Sequence, residues 1–163
     1  MIKPPYILRE LNLDDAVLVA QHVREVCETS PHLDDPRNDW WLTNEYSVEA
    51  VEHKIYHYYS VGAFEDSVLV GTGFASVESG LLSGIYVSVQ GKGIGSAIIA
   101  ELLSHLQAHS VTRIEASVHP KSASMRHLLA RYGFIIEGTD PDRSYFHDVN
   151  FEILVLDASK SSR

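Results

Sequence analysis

The chain has 163 residues, 45% of them apolar and 21% charged, the balance of a globular domain able to build its own core. Thirteen Lys and Arg against 22 Asp and Glu leave a net charge of −9, which argues against nucleic acid as a partner, since that partner demands a basic footprint. No run nears the roughly 20 apolar residues of a membrane span, residues 1–5 show no apolar signal region, and the lone Cys27 excludes an internal disulfide, so a cytoplasmic protein without a membrane partner is expected.

Residues 6–9 read as a first strand, and Asn12 or Asp14 can cap a helix running to about Glu28 through Ala16, Val17, Val19, Ala20, Val23 and Val26. Cys27 falls beside Val23 and Val26 and reads as a buried helix position rather than a nucleophile. Residues 29–44 read as irregular, with Pro31, Pro36, three aspartates and the pair Trp40-Trp41. Ser47 then caps a helix carrying Val48, Val51, Ile55 and Tyr58. Strands are expected near 61–64, 68–77 and 81–87, followed by a glycine turn and a helix that buries Ile94, Ile98, Ile99, Leu102, Leu103 and Leu106. Residues 113–118 alternate Ile114, Ala116 and Val118 with polar partners, the pattern of a half-buried strand. Residues 122–134 place Met125, Leu128, Leu129 and Tyr132 at i, i+3, i+4 and i+7 and stop at Gly133-Phe134. Strands near 134–137 and 150–156 finish the series, and the polar tail 158–163 is expected to fray. Without a repeat or internal linker, the chain is expected to be a single domain over 1–163, its core at about 6–157. Helices between strands, with hairpins at both ends, predict an α/β fold with a mixed sheet.

Ile85-Tyr86-Val87-Ser88-Val89-Gln90-Gly91-Lys92-Gly93-Ile94-Gly95 is the most informative stretch. A β-branched strand runs through a glycine-rich turn into a helix, so unshielded backbone amides and the positive helix end can cradle a diphosphate. A P-loop would need a hydroxyl residue after Gly91-Lys92, where Gly93 stands. A dinucleotide fingerprint would need G-x-G-x-x-G in an opening βαβ unit, whereas these glycines run G-x-G-x-G in mid-chain. A glycine turn that binds nothing is the bland alternative.

The run Gln90-Gly91-Lys92-Gly93-Ile94-Gly95 resembles the Gln/Arg-x-x-Gly-x-Gly/Ala loop with which the GNAT superfamily of N-acetyltransferases binds the acyl-CoA pyrophosphate. Order and spacing of the elements agree from about Tyr6 to Asp157, including the polar turn in Phe64-Glu65-Asp66-Ser67-Val68-Leu69-Val70-Gly71 and the helix closed by Gly133-Phe134. It implies a mixed, largely antiparallel twisted sheet of six to seven strands flanked by about four helices. Strands four and five diverge in that family, and the pantetheine arm enters the gap and pairs with strand four, a form of β-augmentation. Here about two residues fewer than usual separate that strand from Gln90.

The resemblance implies acetyl-CoA as acyl donor and an amine as acceptor, the transfer going by direct attack. The implied cofactor contacts are Ile85, Tyr86, Val87, Gln90, Gly91, Lys92, Gly93, Ile94, Gly95, Ser96 and Ser122, and a backbone N–H near Val87 is the expected oxyanion donor. Many members carry an Asn at the start of the last helix and a Tyr seven residues on that protonates the thiolate; Ser122 and Leu129 stand there instead. Tyr132 is therefore the candidate acid, with a core contact as its other reading, and Tyr145 is a second candidate. Glu78 and His119 are the candidate bases, against a solvated turn carboxylate and a surface histidine. Acceptor recognition is expected from 31–46, where Asp34, Asp35, Trp40 and Trp41 can meet a cation by charge and by aromatic faces. His53/His57 and His105/His109 have metal-clip spacing but no third ligand, so no metal is expected. A homodimer is consistent with this fold. The missing Asn and Tyr keep open a non-catalytic acyl-CoA-binding module, and a nucleotide-binding regulator is a third reading.

Overall fold

Every predicted strand forms, and the order of elements explains how one gap opens in the sheet. The computed structural model describes residues 6–29, 38–140 and 151–160, and of residues 38–41 and 160 the backbone alone. The elements run β1 (Ile7–Glu10), a 3-10 turn (Leu13–Asp15), α1 (Ala16–Thr29), α2 (Asn38–Glu45), α3 (Val48–His57), β2 (Tyr59–Glu65), β3 (Val68–Ser76), β4 (Leu81–Val87), α4 (Ile94–Ala108), β5 (Arg113–Val118), α5 (Ala123–Arg131), β6 (Ile135–Asp140) and β7 (Phe151–Asp157). The strands form one sheet in the order β1-β2-β3-β4-β5-β7-β6. All neighbours are antiparallel except β4 and β5. No described helix is long and apolar enough to cross a membrane.

Local chemistry sets the ends of the first helices. Asn12 Oδ1 accepts from the Asp14 N–H, the Asp15 carboxylate accepts from the Asn12 N–H, and this capping box starts the turn that feeds α1. Asp15 is buried, and the Arg9 guanidinium compensates it with two hydrogen bonds of 2.8 and 2.9 Å, which hold its pKa below the usual carboxylate range. Ser47 Oγ accepts from the Ala50 N–H at 3.1 Å and starts α3.

Two clusters cover the two faces of the sheet. On one, α4 and α5 bring Ile94, Ile98, Ile99, Leu102, Leu106 and Leu129 against β2–β5. Each such side chain contributes on the order of 1.5–3 kcal/mol of gross burial. The close approach of α4 depends on β3: a Cβ at Gly73 would stand 2.5 Å from Ile98 and 2.9 Å from Leu102. On the other face α1 and α3 bring Val19, Val23, Cys27, Val51 and Ile55 against Phe64, Leu69 and Phe74.

Two expectations change. Residues 38–45 are helical although no apolar stripe marks them; Leu42 and Tyr46, which follows the helix, anchor this segment in the second cluster. The tail does not fray at its start: Ala158 is buried, and its N–H donates to the Thr112 carbonyl at 2.7 Å.

The fork between β4 and β5 dominates the site. These parallel strands pair only at Leu81 with Glu115 and Leu82 with Ala116. Among the described residues the β5-facing edge of β4 has no strand partner beyond Leu82. β4 is also irregular on its β3 side, where Phe74 pairs with Ser83 and Thr72 with Tyr86, so Gly84 and Ile85 together face Gly73. Gly84 has φ +61°, the left-handed conformation expected of the first residue of a G1 bulge. Thr72 Oγ1, fully buried, donates to the Gly84 carbonyl at 2.9 Å and braces the bulge.

Candidate active site

The glycine turn lies at the open end of the fork. The Ser88 N–H donates to the Val70 carbonyl at 3.0 Å, so β4 stays attached to β3 one residue past Val87. Gln90 Nε2 donates to the Val87 carbonyl at 3.2 Å and closes the turn on itself. Gly91 and Gly93 have φ of +80° and +73°, and a Cβ on either would meet nothing within 4 Å among the described residues. Gly95 is different, because its Cβ would stand 3.1 Å from Leu128, so it seats the start of α4 against α5. Gly93 is the N-cap of α4, and no side chain caps the helix there. Uncapped first-turn amides, bare glycine backbone and the helix dipole converge on open space, which is the composition of an anion site.

Other loop positions have their own partners. Lys92 Nζ is 2.8 Å from Glu65 Oε2, so the only cation between Ile85 and Ala100 is paired with a carboxylate from the end of β2. Ile94 is 1% exposed, which leaves its backbone as its one offering to a ligand. Ser96 Oγ and Tyr132 Oη are 2.6 Å apart, and Tyr132 Oη donates to the Ser96 carbonyl at 2.8 Å. That hydroxyl thus ties the C-terminal end of α5 to the first turn of α4.

Along the fork, Ile85 and Val87 turn their side chains toward α4, and Tyr86 turns toward α1 and α3. The Ser88 N–H faces β3, so strand alternation sends the Val87 N–H into the fork. His119 follows β5 on the opposite arm, where its ring meets Phe151 edge-on at 5.5 Å. The Lys121 N–H donates to His119 Nδ1 at 3.1 Å, which fixes the proton of the neutral imidazole on Nε2. Ser122 precedes α5 with its N–H on the His119 carbonyl at 2.8 Å, and its side chain does not cap the helix.

Glu78 is not brought to this cleft. It is exposed in the β3–β4 hairpin, at the end of β4 where the fork is shut by Leu81 and Leu82. Position before strand four suggested a base, but the hairpin puts that carboxylate on the far side of the closure. Asp34, Asp35 and Tyr145 lie outside the described residues, as do the side chains of Trp40 and Trp41.

Sequence reasoning passed over one buried group beside the fork. Tyr46 and Tyr86 meet edge to face at 5.8 Å and share a hydrogen bond between their hydroxyls. Burial pushes both phenols well above their ordinary pKa. Tyr46 is 7% exposed, and its Oη stands 3.0 Å from where a Gly84 Cβ would be. Neither spacing nor composition signals this contact. Among the described residues no three His, Cys, Asp or Glu side chains converge as metal ligands. His105 instead stacks flat on Tyr59 at 3.6 Å.

Solved structures share this architecture. PaiA N-acetyltransferase from Thermoplasma acidophilum, in complex with coenzyme A, superposes with a TM-score of 0.79 at 19% identity, covering 93% of this chain and 98% of that one. YncA from Salmonella typhimurium, a putative acetyltransferase with its cofactor acetyl-CoA, gives 0.70 at 16% identity, covering 98% and 97%. Ribosomal-protein-alanine N-acetyltransferase from Brucella melitensis gives 0.65 at 17%, covering 91% and 98%. At these identities the likeness shows the fold. No curated protein matches the sequence. The model of the acetyltransferase (GNAT) family matches residues 19–134, and the chain belongs to that family.

Proposed function

We propose that the protein transfers an acetyl group from acetyl-CoA to a primary amine by direct attack in a ternary complex. The observation that carries this reading is the pairing of an open, uncapped glycine turn with an unpaired β4 edge that leads away from it. A diphosphate fits the first and an extended amide-bearing arm fits the second. Bound acetyl-CoA would supply a thioester already activated toward amines.

The residues then have separable tasks. Gly91, Gly93, Gly95 and Ser96 offer backbone N–H groups to the diphosphate, and Lys92 adds a charge by leaving Glu65. Gln90 shapes the turn, Ile94 anchors it, and Ser122, at the head of α5 beside His119, offers a contact to the arm from the β5 side of the fork. Ile85, Tyr86 and Val87 present the strand edge, and the Val87 N–H is a fork-facing donor for an amide of the arm. His119, with Nδ1 occupied, serves as an Nε2–H donor rather than as the base. Tyr132 holds α5 to α4 through Ser96 and so steadies the turn. Asp34, Asp35, Trp40 and Trp41 remain the proposed acceptor contacts.

The amine enters as its free base. An aliphatic amine of pKa about 10.4 is uncharged in only about four molecules in ten thousand at pH 7. Free-thiol release measured with a panel of amines should rise about tenfold per pH unit from pH 6 to 8. A flat profile over that range would assign deprotonation to a group of the protein.

A second reading, an acyl-CoA-binding module without turnover, draws on Leu129, which is fully buried at the helix position where many members place a tyrosine. Binding of acetyl-CoA with no thiol release from any amine would favour it.

A further inference from the structure

We propose that Tyr46, held in place by Tyr86, is the positioning residue for the reacting end of the acyl donor, acting through the β4 bulge. The inference rests on the acetyl-CoA reading and adds a residue to it. An arm that starts at the glycine turn and follows β4 can go no deeper than Leu82, where pairing with Ala116 closes the fork. The last open stretch before that closure is the bulge at Gly84 and Ile85. The thioester end of the arm therefore comes to rest beside the bulge, and whatever fixes the bulge fixes the acyl carbon.

Two side chains press on the bulge from the face opposite α4. A Cβ at Gly84 would stand 2.5 Å from the Phe74 ring and 3.0 Å from Tyr46 Oη, so only glycine lets that hydroxyl lie against the strand. Tyr46 is fixed from several directions. Its N–H donates to the Leu42 carbonyl at 3.0 Å, Lys54 Nζ lies 5.1 Å from its ring centre, and its hydroxyl is bonded to that of Tyr86, two residues along β4 from the bulge. The strand thus clamps Tyr46, and Tyr46 backs the strand.

A core that needed only volume would use phenylalanine here, because a buried hydroxyl must recover its lost hydration. The two phenols recover it from each other. Burial keeps them protonated, and it holds the neighbouring Cys27 thiol up at about 11, so no anion forms next to the bulge at neutral pH. The pair is a neutral, rigid hydroxyl support at one place on β4.

The test compares Tyr46→Phe and Tyr86→Phe with the unaltered protein, using calorimetric titration with two ligands. One is acetyl-CoA; the other is the nucleotide that ends at the diphosphate of CoA and lacks the pantetheine arm. Both variants keep the ring, and thermal melting checks that they fold. The expected result is acetyl-CoA binding about fivefold weaker in Tyr46→Phe and about threefold weaker in Tyr86→Phe, with the arm-free nucleotide within twofold in both. A role in packing alone would weaken both ligands together or neither, and either outcome overturns the proposal. Should Tyr46→Phe fail to fold, the same ratio in Tyr86→Phe decides. If the unaltered protein binds neither ligand, the acetyl-CoA reading falls and this proposal with it, a result distinct from failure of the variants alone.

Discussion

β4 carries one left-handed glycine at its centre and leads past its C-terminal end to more, and the two regions differ in what surrounds them. At the bulge, Gly84 is walled in by the Phe74 ring and the Tyr46 hydroxyl. In the turn, Gly91 and Gly93 have the same sign of φ and nothing within 4 Å of an added Cβ. Gly84 is thus demanded by the protein's own core. Gly91 and Gly93 meet no packing need among the described residues; their left-handed backbone calls for glycine, and the bare amides this leaves suit the proposed diphosphate.

Substitutions at the two regions should separate accordingly. Gly93→Glu places a carboxylate where a diphosphate would sit, and acetyl-CoA affinity should fall more than a hundredfold in a calorimetric titration. Its folding cost should stay at the roughly 1–2 kcal/mol of a left-handed non-glycine residue. Equal losses of binding and stability would erase the distinction between the regions. Gly84→Ala should do the reverse. The overlap with Phe74 and the backbone strain together cost about 3 kcal/mol, which lowers the melting temperature by roughly 6–12 °C.

Smaller effects sharpen the comparison. Glu65→Gln frees Lys92 from a partly exposed ion pair of the kind worth about 0.2–1 kcal/mol, so acetyl-CoA should bind about two- to threefold more tightly, most clearly at low salt. A weaker complex would mean that the pair orders the turn instead. His22, on α1, is 4% exposed, and among the described residues neither ring nitrogen has a hydrogen-bond partner of good geometry. Burial holds its pKa below the ordinary 6.5, with the Val70 carbonyl and Glu25 opposing. Because the unfolded chain binds this proton more readily, the stability contributed by neutral His22 is complete above pH 6.5 and drains away as pH falls toward the folded pKa. His22→Leu should flatten denaturant midpoints measured between pH 7 and 5, and unchanged pH dependence would place the acid sensitivity elsewhere.

Much of this was legible in the chain because local signals and tertiary structure agree. The alternation in Arg113–Val118 and the run into the glycine turn place β5 and β4 at the bounds observed. Gly91, Gly93 and Gly95 could be read as one motif, but their division into two open positions and one packing position requires the neighbours. Residues 38–45 escaped because two prolines and three aspartates dominate the region, while the helix is anchored by distant contacts at Leu42 and Tyr46. Gly84 read as an ordinary strand residue, since an isolated glycine in a strand only hints at a bulge and the mismatch itself shows only against the partner strand. Glu78 was chosen by order along the chain, which does not say which end of a fork a hairpin occupies.

The central claim is that the turn and the fork together hold an acyl-CoA. Calorimetric titration of the unaltered protein with acetyl-CoA, run beside ATP, tests it most directly. Saturable binding of one acetyl-CoA per chain is expected, with ATP bound far more weakly, because it shares the phosphates but has no arm to lie along β4. Heat from ATP equal to that from acetyl-CoA, or no heat from acetyl-CoA, would contradict it.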